Sequence, residues 1–153
     1  MKFKIEQLAL NPATPNKAFK LMNMLGLTDW SHDQATAAGE VYGESGSNVA
    51  SLSFNHETPG LELEIINYLS GENWLAMHNA FYTSVVSHIG THCSAEELEA
   101  WRAKFAALGI NVAQEVVTTA HSNPNVPEGR RYKYVIFDTR GIIGCDVKFI
   151  VRL

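Results

Sequence analysis

The chain is poor in cysteine. Cys93 and Cys145 are the only two, too few for a disulfide framework and without the spacing of a zinc-ligand pattern. A reducing, cytoplasmic compartment is the expectation. Charge of one sign is missing too: 12 Lys and Arg stand against 16 Asp and Glu, a net charge of −4. Arg130, Arg131 and Lys133 are interleaved with strand residues rather than gathered in a run, so no nucleic-acid partner is expected. No apolar stretch approaches the length of a membrane span. Met1-Lys2-Phe3-Lys4-Ile5-Glu6 lacks the apolar core of a secretory signal. These absences leave 153 residues, 46% of them hydrophobic, enough for one ordinary core.

What is present is a repeat. Residues 5–10 and 86–91 each read as a strand. Each is followed by a turn, an amphipathic helix (17–27 and 97–110) and a Leu-Gly stop. In the first helix Ala18, Leu21, Met22 and Leu25 form one stripe; in the second Leu98, Trp101, Phe105 and Leu108 do. Gly26 and Gly109 stand where a helix end takes a left-handed residue. Ser94 with Glu97 reads as a capping box. Three extended runs follow each helix, at 34–43, 47–54 and 60–69, then at 111–121, 130–138 and 143–152. The spacing predicts an α+β chain of two βαβββ modules (1–69 and 85–153) joined by a linker (70–84), forming one domain over 1–153. Trp74, Phe81 and Tyr82 of the linker are expected to pack. A second loop, 122–129, is punctuated by Asn, Pro and Gly.

Alternation within the strands assigns faces. Leu8, Leu63, Ile65, Val135, Phe137, Val147 and Phe149 suit the helix side. The opposite face then carries Gln7, Glu62, Glu64, His88, His92, Tyr132, Tyr134, Asp146 and Lys148, too polar a set for a dry interior. In Val86-Ser87-His88-Ile89-Gly90-Thr91-His92-Cys93 two histidines flank a glycine on that face, leaving room between them. Glu62 and Glu64 are candidates for a carboxylate pair with one raised pKa. Lys148 is expected to form an ion pair with Glu64. Tyr132, Tyr134 and Lys148 are candidate substrate contacts.

Two βαβββ modules, with His88-Ile89-Gly90 opening the second and Leu61-Glu62-Leu63-Glu64 closing the first, resemble the vicinal oxygen chelate superfamily. That superfamily includes glyoxalase I, extradiol dioxygenases and antibiotic-resistance proteins of the bleomycin type. The resemblance implies curled mixed sheets enclosing a cavity, and a homodimer. It also implies a divalent metal (Fe, Mn, Ni or Zn) held by one residue from the first and last strand of each module. Gln7, Glu64 and His88 match three of the ligand positions. The fourth, by its spacing from Gly144, falls on Lys148, which cannot ligate. Asp146 substitutes for it only if the strand register slips, and the pairing of Gly60 with Gly144 favours the unslipped register. Glu64 or His92 is the candidate for moving a proton.

The function implied is a metal-dependent enzyme acting on a small molecule with neighbouring oxygens. A metal-free protein that binds or sequesters a small molecule is the alternative. A scaffold with a vestigial cavity is a third reading.

Overall fold

Eight strands close into a barrel in the order β1-β4-β3-β2-β6-β7-β8-β5. The structure, a computed structural model, describes residues 2–71 and 86–153. The linker side chains Trp74, Phe81 and Tyr82 lie outside the described residues. The first half contributes β1 (Gln7–Leu10), α1 (Pro15–Met24), β2 (Trp30–Val41), β3 (Glu44–Asn55) and β4 (Glu62–Ser70). The second contributes β5 (Val86–His92), α2 (Ala95–Ala107), β6 (Val112–His121), β7 (Tyr132–Phe137), α3 (Arg140–Ile143) and β8 (Asp146–Arg152). This is the α+β arrangement of two modules that the repeat implied, with the mixed, curled sheet that the resemblance implied. β1 runs parallel to β4 and β5 parallel to β8, and the other pairings are antiparallel.

The two halves join at two antiparallel seams within the one chain. At one, Gln7 of β1 lies opposite Gly90 of β5. At the other, Gly39 of β2 lies opposite Val116 of β6. A Cβ at Gly39 would stand 2.1 Å from the Glu115 carbonyl oxygen, so only glycine lets these strands approach.

The helix-side assignments of the second half hold, except that Leu108 of the expected stripe is exposed. Leu98 on α2 is buried with Val135, Phe137, Val147, Phe149 and Val151, and Trp101 and Phe105 pack against them. Phe105 stacks on Phe137 with centroids 4.2 Å apart. The capping box forms, Glu97 N donating to Ser94 Oγ (3.1 Å) and Ser94 N to Glu97 Oε2 (2.9 Å).

α1 differs from its expected role. Among its described residues none is buried, and Leu21 and Leu25 of the expected stripe are exposed. Phe19 is its anchor, edge-on to Trp30 at 5.3 Å. Two strand ends also differ. β2 begins at Trp30, ahead of the expected start, because Trp30–Asp33 pair with Leu52–Asn55 of the longer β3. β8 begins at Asp146 rather than at 143, because residues 140–143 form a helical turn closed by Gly144 at φ 83°.

The barrel interior is lined on β1, β2 and β3 by alanine: Ala9, Ala35, Ala37 and Ala50 are all buried. An eight-stranded barrel is just wide enough for ordinary side chains to fill it. Small ones leave it hollow. Among the described residues no helix is long and apolar enough to cross a membrane.

Candidate functional site

Two chambers share the interior. One of about 180 Å³ is lined by Gln7, Asp33, Glu62, Glu64, His92, His121, Tyr132, Tyr134 and Lys148, among others. A smaller one, about 30 Å³, is lined by Ala35, Ala37 and Ala50 with Glu64, Tyr68, His88, Tyr134 and Lys148, among others. Glu64, Tyr134 and Lys148 border both, so the polar centre divides the barrel.

Strand pairing puts that centre together. In the first half Gln7 pairs with Glu62 and Ala9 with Glu64. In the second His88 pairs with Asp146 and Gly90 with Lys148. The register is therefore the unslipped one, and Lys148 holds the place of Glu64. The space beside Gly90 is taken by Gln7, whose Oε1 lies 3.0 Å from where a Cβ would stand.

Gln7 Nε2 donates to Glu62 Oε1 (2.5 Å), which turns its Oε1 toward His88 Nε2 at 3.0 Å. His88 Nε2 also lies 3.2 Å from Glu64 Oε2. Both neighbours are acceptors, so Nε2 carries the hydrogen and Nδ1 accepts from Ser87 Oγ (3.2 Å). Lys148 Nζ is 3.6 Å from Glu64 Oε2 and 4.6 Å from the centre of the Tyr134 ring. The expected ion pair is present. Glu64 Oε2 receives no well-aligned hydrogen bond among the described residues, so its two neighbours act mainly through charge.

Charge sets the protonation states. Burial opposes ionisation of Glu64, but the Lys148 ammonium and then His88 outweigh it and hold the carboxyl down at about 2. The expected raised carboxylate is thus reversed, because its charged neighbour is Lys148 and not Glu62. Burial, and then the Lys148 charge, push His88 down to about 4, so it is neutral near pH 7. Burial and the Glu64 charge raise the Tyr68 and Tyr134 hydroxyls, which stay protonated.

These shifts predict a two-stage loss of stability in acid. The depressed His88 contributes fully above pH 6.5, and its contribution fades as pH falls through about 4. Glu64 contributes fully above about 4.5 and fades toward about 2. Each stage is worth about 3 kcal/mol at 1.36 kcal/mol per unit. His88→Gln, which stays neutral, is expected to abolish the upper stage and leave the lower. Denaturant unfolding from pH 7 to 2 measures both.

The remaining candidates lie apart from this cluster. Asp146 is buried but turned to Arg140, whose Nη2 donates to its Oδ2 at 2.9 Å and to the Ser87 carbonyl at 3.3 Å. His92 is mostly exposed at the rim of the larger chamber, its Nδ1 3.3 Å from Glu6 Oε2. Tyr132 and Tyr134 stack nearly parallel, 6.2 Å apart, as one wall. Asp33 and His121, which the sequence did not single out, line the larger chamber as well.

Gln7 Oε1 and Glu64 Oε2 both lie close to His88 Nε2, at 3.0 and 3.2 Å, so three potential metal donors gather at one point. The set nevertheless does not fit a resident dication. The fourth position holds an ammonium, and Nε2 of His88 is already committed as a donor. A dication about 4 Å from that ammonium is opposed by about 8 kcal/mol at an effective dielectric of 20. That offsets the whole binding energy of a micromolar site. Among the described residues no group of three or more His, Cys, Asp or Glu stands ready to hold a metal.

No protein-family model and no curated protein matches the chain. Solved structures do. A hypothetical protein from Bacillus halodurans C-125 superposes with a TM-score of 0.55 at 14% identity, over 98% of this chain and 94% of its own. Methylmalonyl-CoA epimerase from Mycobacterium tuberculosis gives 0.54 at 10% identity, over 100% and 93%. The Streptomyces coelicolor epimerase, in complex with 2-nitronate-propionyl-CoA, gives 0.55 at 10% identity, over 99% and 98%. The chain has the vicinal oxygen chelate fold. At such identities the likeness extends to the fold alone.

Proposed function

We propose that this chain is a metal-free small-molecule protein whose ligand enters the larger chamber. The observation that carries this reading is the buried Lys148–Glu64 pair at 3.6 Å, which puts a cation of the chain's own where the resemblance implies a metal ligand. Lys148 offers an ammonium to an acidic or carbonyl oxygen. Tyr132 and Tyr134 offer a flat wall to a planar group. A chamber of about 180 Å³ is below the range of drug-sized pockets, about 300–1,000 Å³. It suits an acyl-sized group and not a nucleotide. The metal-enzyme reading draws on three donors, and Lys148 argues against it.

Metal analysis of the purified full chain is expected to give substoichiometric Fe, Mn, Ni and Zn. Thermal shifts produced by a panel of small carboxylic and oxo acids are expected to be the same with and without EDTA. Stoichiometric metal, or ligand shifts that vanish with the chelator, would overturn the reading.

A further inference from the structure

The larger chamber is unevenly charged. Asp33, Glu62 and Glu64 all line it, and among the described residues Lys148 is its one Lys or Arg. Two of the three carboxylates are already answered. Glu64 has Lys148, 3.6 Å away. Asp33 has His121, which a bulge at Thr119 in β6 brings opposite the inward Ala35, with its Nδ1 2.6 Å from Asp33 Oδ2. The other Asp33 oxygen accepts from the amides of Ser122 (2.9 Å) and Asn123 (3.0 Å).

Glu62 is different. Its Oε1 accepts from Gln7 Nε2, a neutral amide. Its Oε2 lies 3.4 Å from Nε2 of His56, whose side chain is 66% exposed, and so solvent-exposed a contact is worth little. Among the described residues no Lys or Arg pairs with it. Glu62 and Glu64 are two positions apart on β4, about 7 Å along the strand, and Lys148 stands at Glu64. The chamber thus has a negative pole at Glu62 and a positive group at Lys148. An ammonium carries three donors, so contact with one oxygen of Glu64 does not exhaust it. A chamber of about 180 Å³ is small enough for one ligand to meet both poles, and Phe54, Val126 and Ile150 give it apolar wall as well.

We propose that the ligand of this chamber is a small amino acid with an apolar side chain, its ammonium on Glu62 and its carboxylate on Lys148. This rests on the ligand-binding reading above and narrows its small acids to zwitterions. A plain carboxylic acid answers Lys148 but adds a negative charge to a chamber where carboxylates already outnumber ammonium groups. A plain amine answers Glu62 and leaves Lys148 without a ligand oxygen. A zwitterion meets both poles and brings no net charge. Complementary charge at two fixed points selects among ligands of equal size. The apolar wall takes the side chain.

The test is a titration of the full chain at pH 7, read from the NMR resonances of Tyr132 and Tyr134. The probes are two matched sets. L-norvaline is set against pentanoic acid and butylamine, and L-leucine against 4-methylpentanoic acid and 3-methylbutylamine. Each amino acid is expected to bind about tenfold or more tighter than either of its analogues, because each analogue leaves one pole of the site unanswered. Glu62→Gln keeps the shape of the side chain and its acceptor for Gln7. It is expected to weaken both amino acids about tenfold and to leave the two carboxylic acids unchanged or bound more tightly. A merely structural role for Glu62 would move all of them in the same direction. The comparison among ligands needs no variant and stands if the substitution fails to fold. An analogue that binds as tightly as its parent amino acid, or a Glu62→Gln variant that weakens acids and amino acids alike, would overturn the proposal and leave the binding reading standing. Tyrosine resonances unmoved by all six compounds would count against the binding reading and against the proposal with it.

Discussion

Lys148→Glu is expected to turn the centre of the barrel into a divalent-metal site. The substitution replaces the one group that cannot ligate with a carboxylate, beside Gln7, His88 and Glu64. Its position opposite Gly90 matches that of Glu64 opposite Ala9, so the new side chain reaches the same centre from the other half. Without metal the variant should lose stability, because two buried carboxylates then share a site with no cation between them. Manganese or zinc should restore it. At a free concentration 1,000 times its dissociation constant, a ligand stabilises by about 4 kcal/mol. For a chain of this size that is about 8–16 °C in melting temperature. Calorimetric scans with and without metal read the effect, and Lys148→Gln, which removes the ammonium without adding a carboxylate, should give a much weaker response. A Lys148→Glu variant indifferent to every divalent ion would show that something other than Lys148 keeps metal out.

Glu64→Ala is expected to be among the most destabilising single changes in the chain, at about 3–5 kcal/mol. Glu64 and Lys148 are both buried, and removing the carboxylate leaves an ammonium with no counter-charge. The Tyr134 ring beneath it at 4.6 Å offsets only a part, about 2 kcal/mol at most. Replacing both partners with apolar residues of similar size, Glu64→Leu with Lys148→Met, should lose far less than the sum of the single changes. A buried pair is costly to break and inexpensive to replace. Denaturant unfolding of the three variants closes the cycle. Additivity would mean that the two groups do not interact and that the depressed Glu64 has another cause.

The two variants together separate structure from binding at the same residues. If the double apolar variant folds but no longer responds to small acids, the pair is needed for the ligand as well as for the barrel.

Much of this was legible in the sequence, and the reason is periodicity. Strand side chains alternate with a period of two, so the inward set of Gln7, Glu62, Glu64, His88, Tyr134 and Lys148 follows from local pattern once the strands are recognised. The matching glycines, Gly60 and Gly144, give the register in the same way. Capping is local too: Ser94 and Glu97 are three residues apart and need nothing from the rest of the fold. The alternation of β2 also pointed inward at Asp33, two residues before Ala35. Asp33 nevertheless lies ahead of the run expected from 34, because the strand's true start at Trp30 is held by pairing with the far end of β3.

What only the tertiary structure decided depends on groups far apart in the chain. Whether Glu64 is raised or lowered turns on which charge lies beside it. That charge comes from Lys148, in the other half, rather than from the neighbouring Glu62. Asp146 has the right face and the right chemistry, but Arg140, on a helical turn with no sequence signal as a strand run, claims it. His121 is the sharpest case. Its inward direction depends on a bulge, and its partner Asp33 is 88 residues away across a seam that exists only when the barrel closes. Local sequence sets what each strand shows to its two faces. Closure of the barrel sets which of those faces meet, and through distance and burial it decides which groups carry charge and which hold a lone pair.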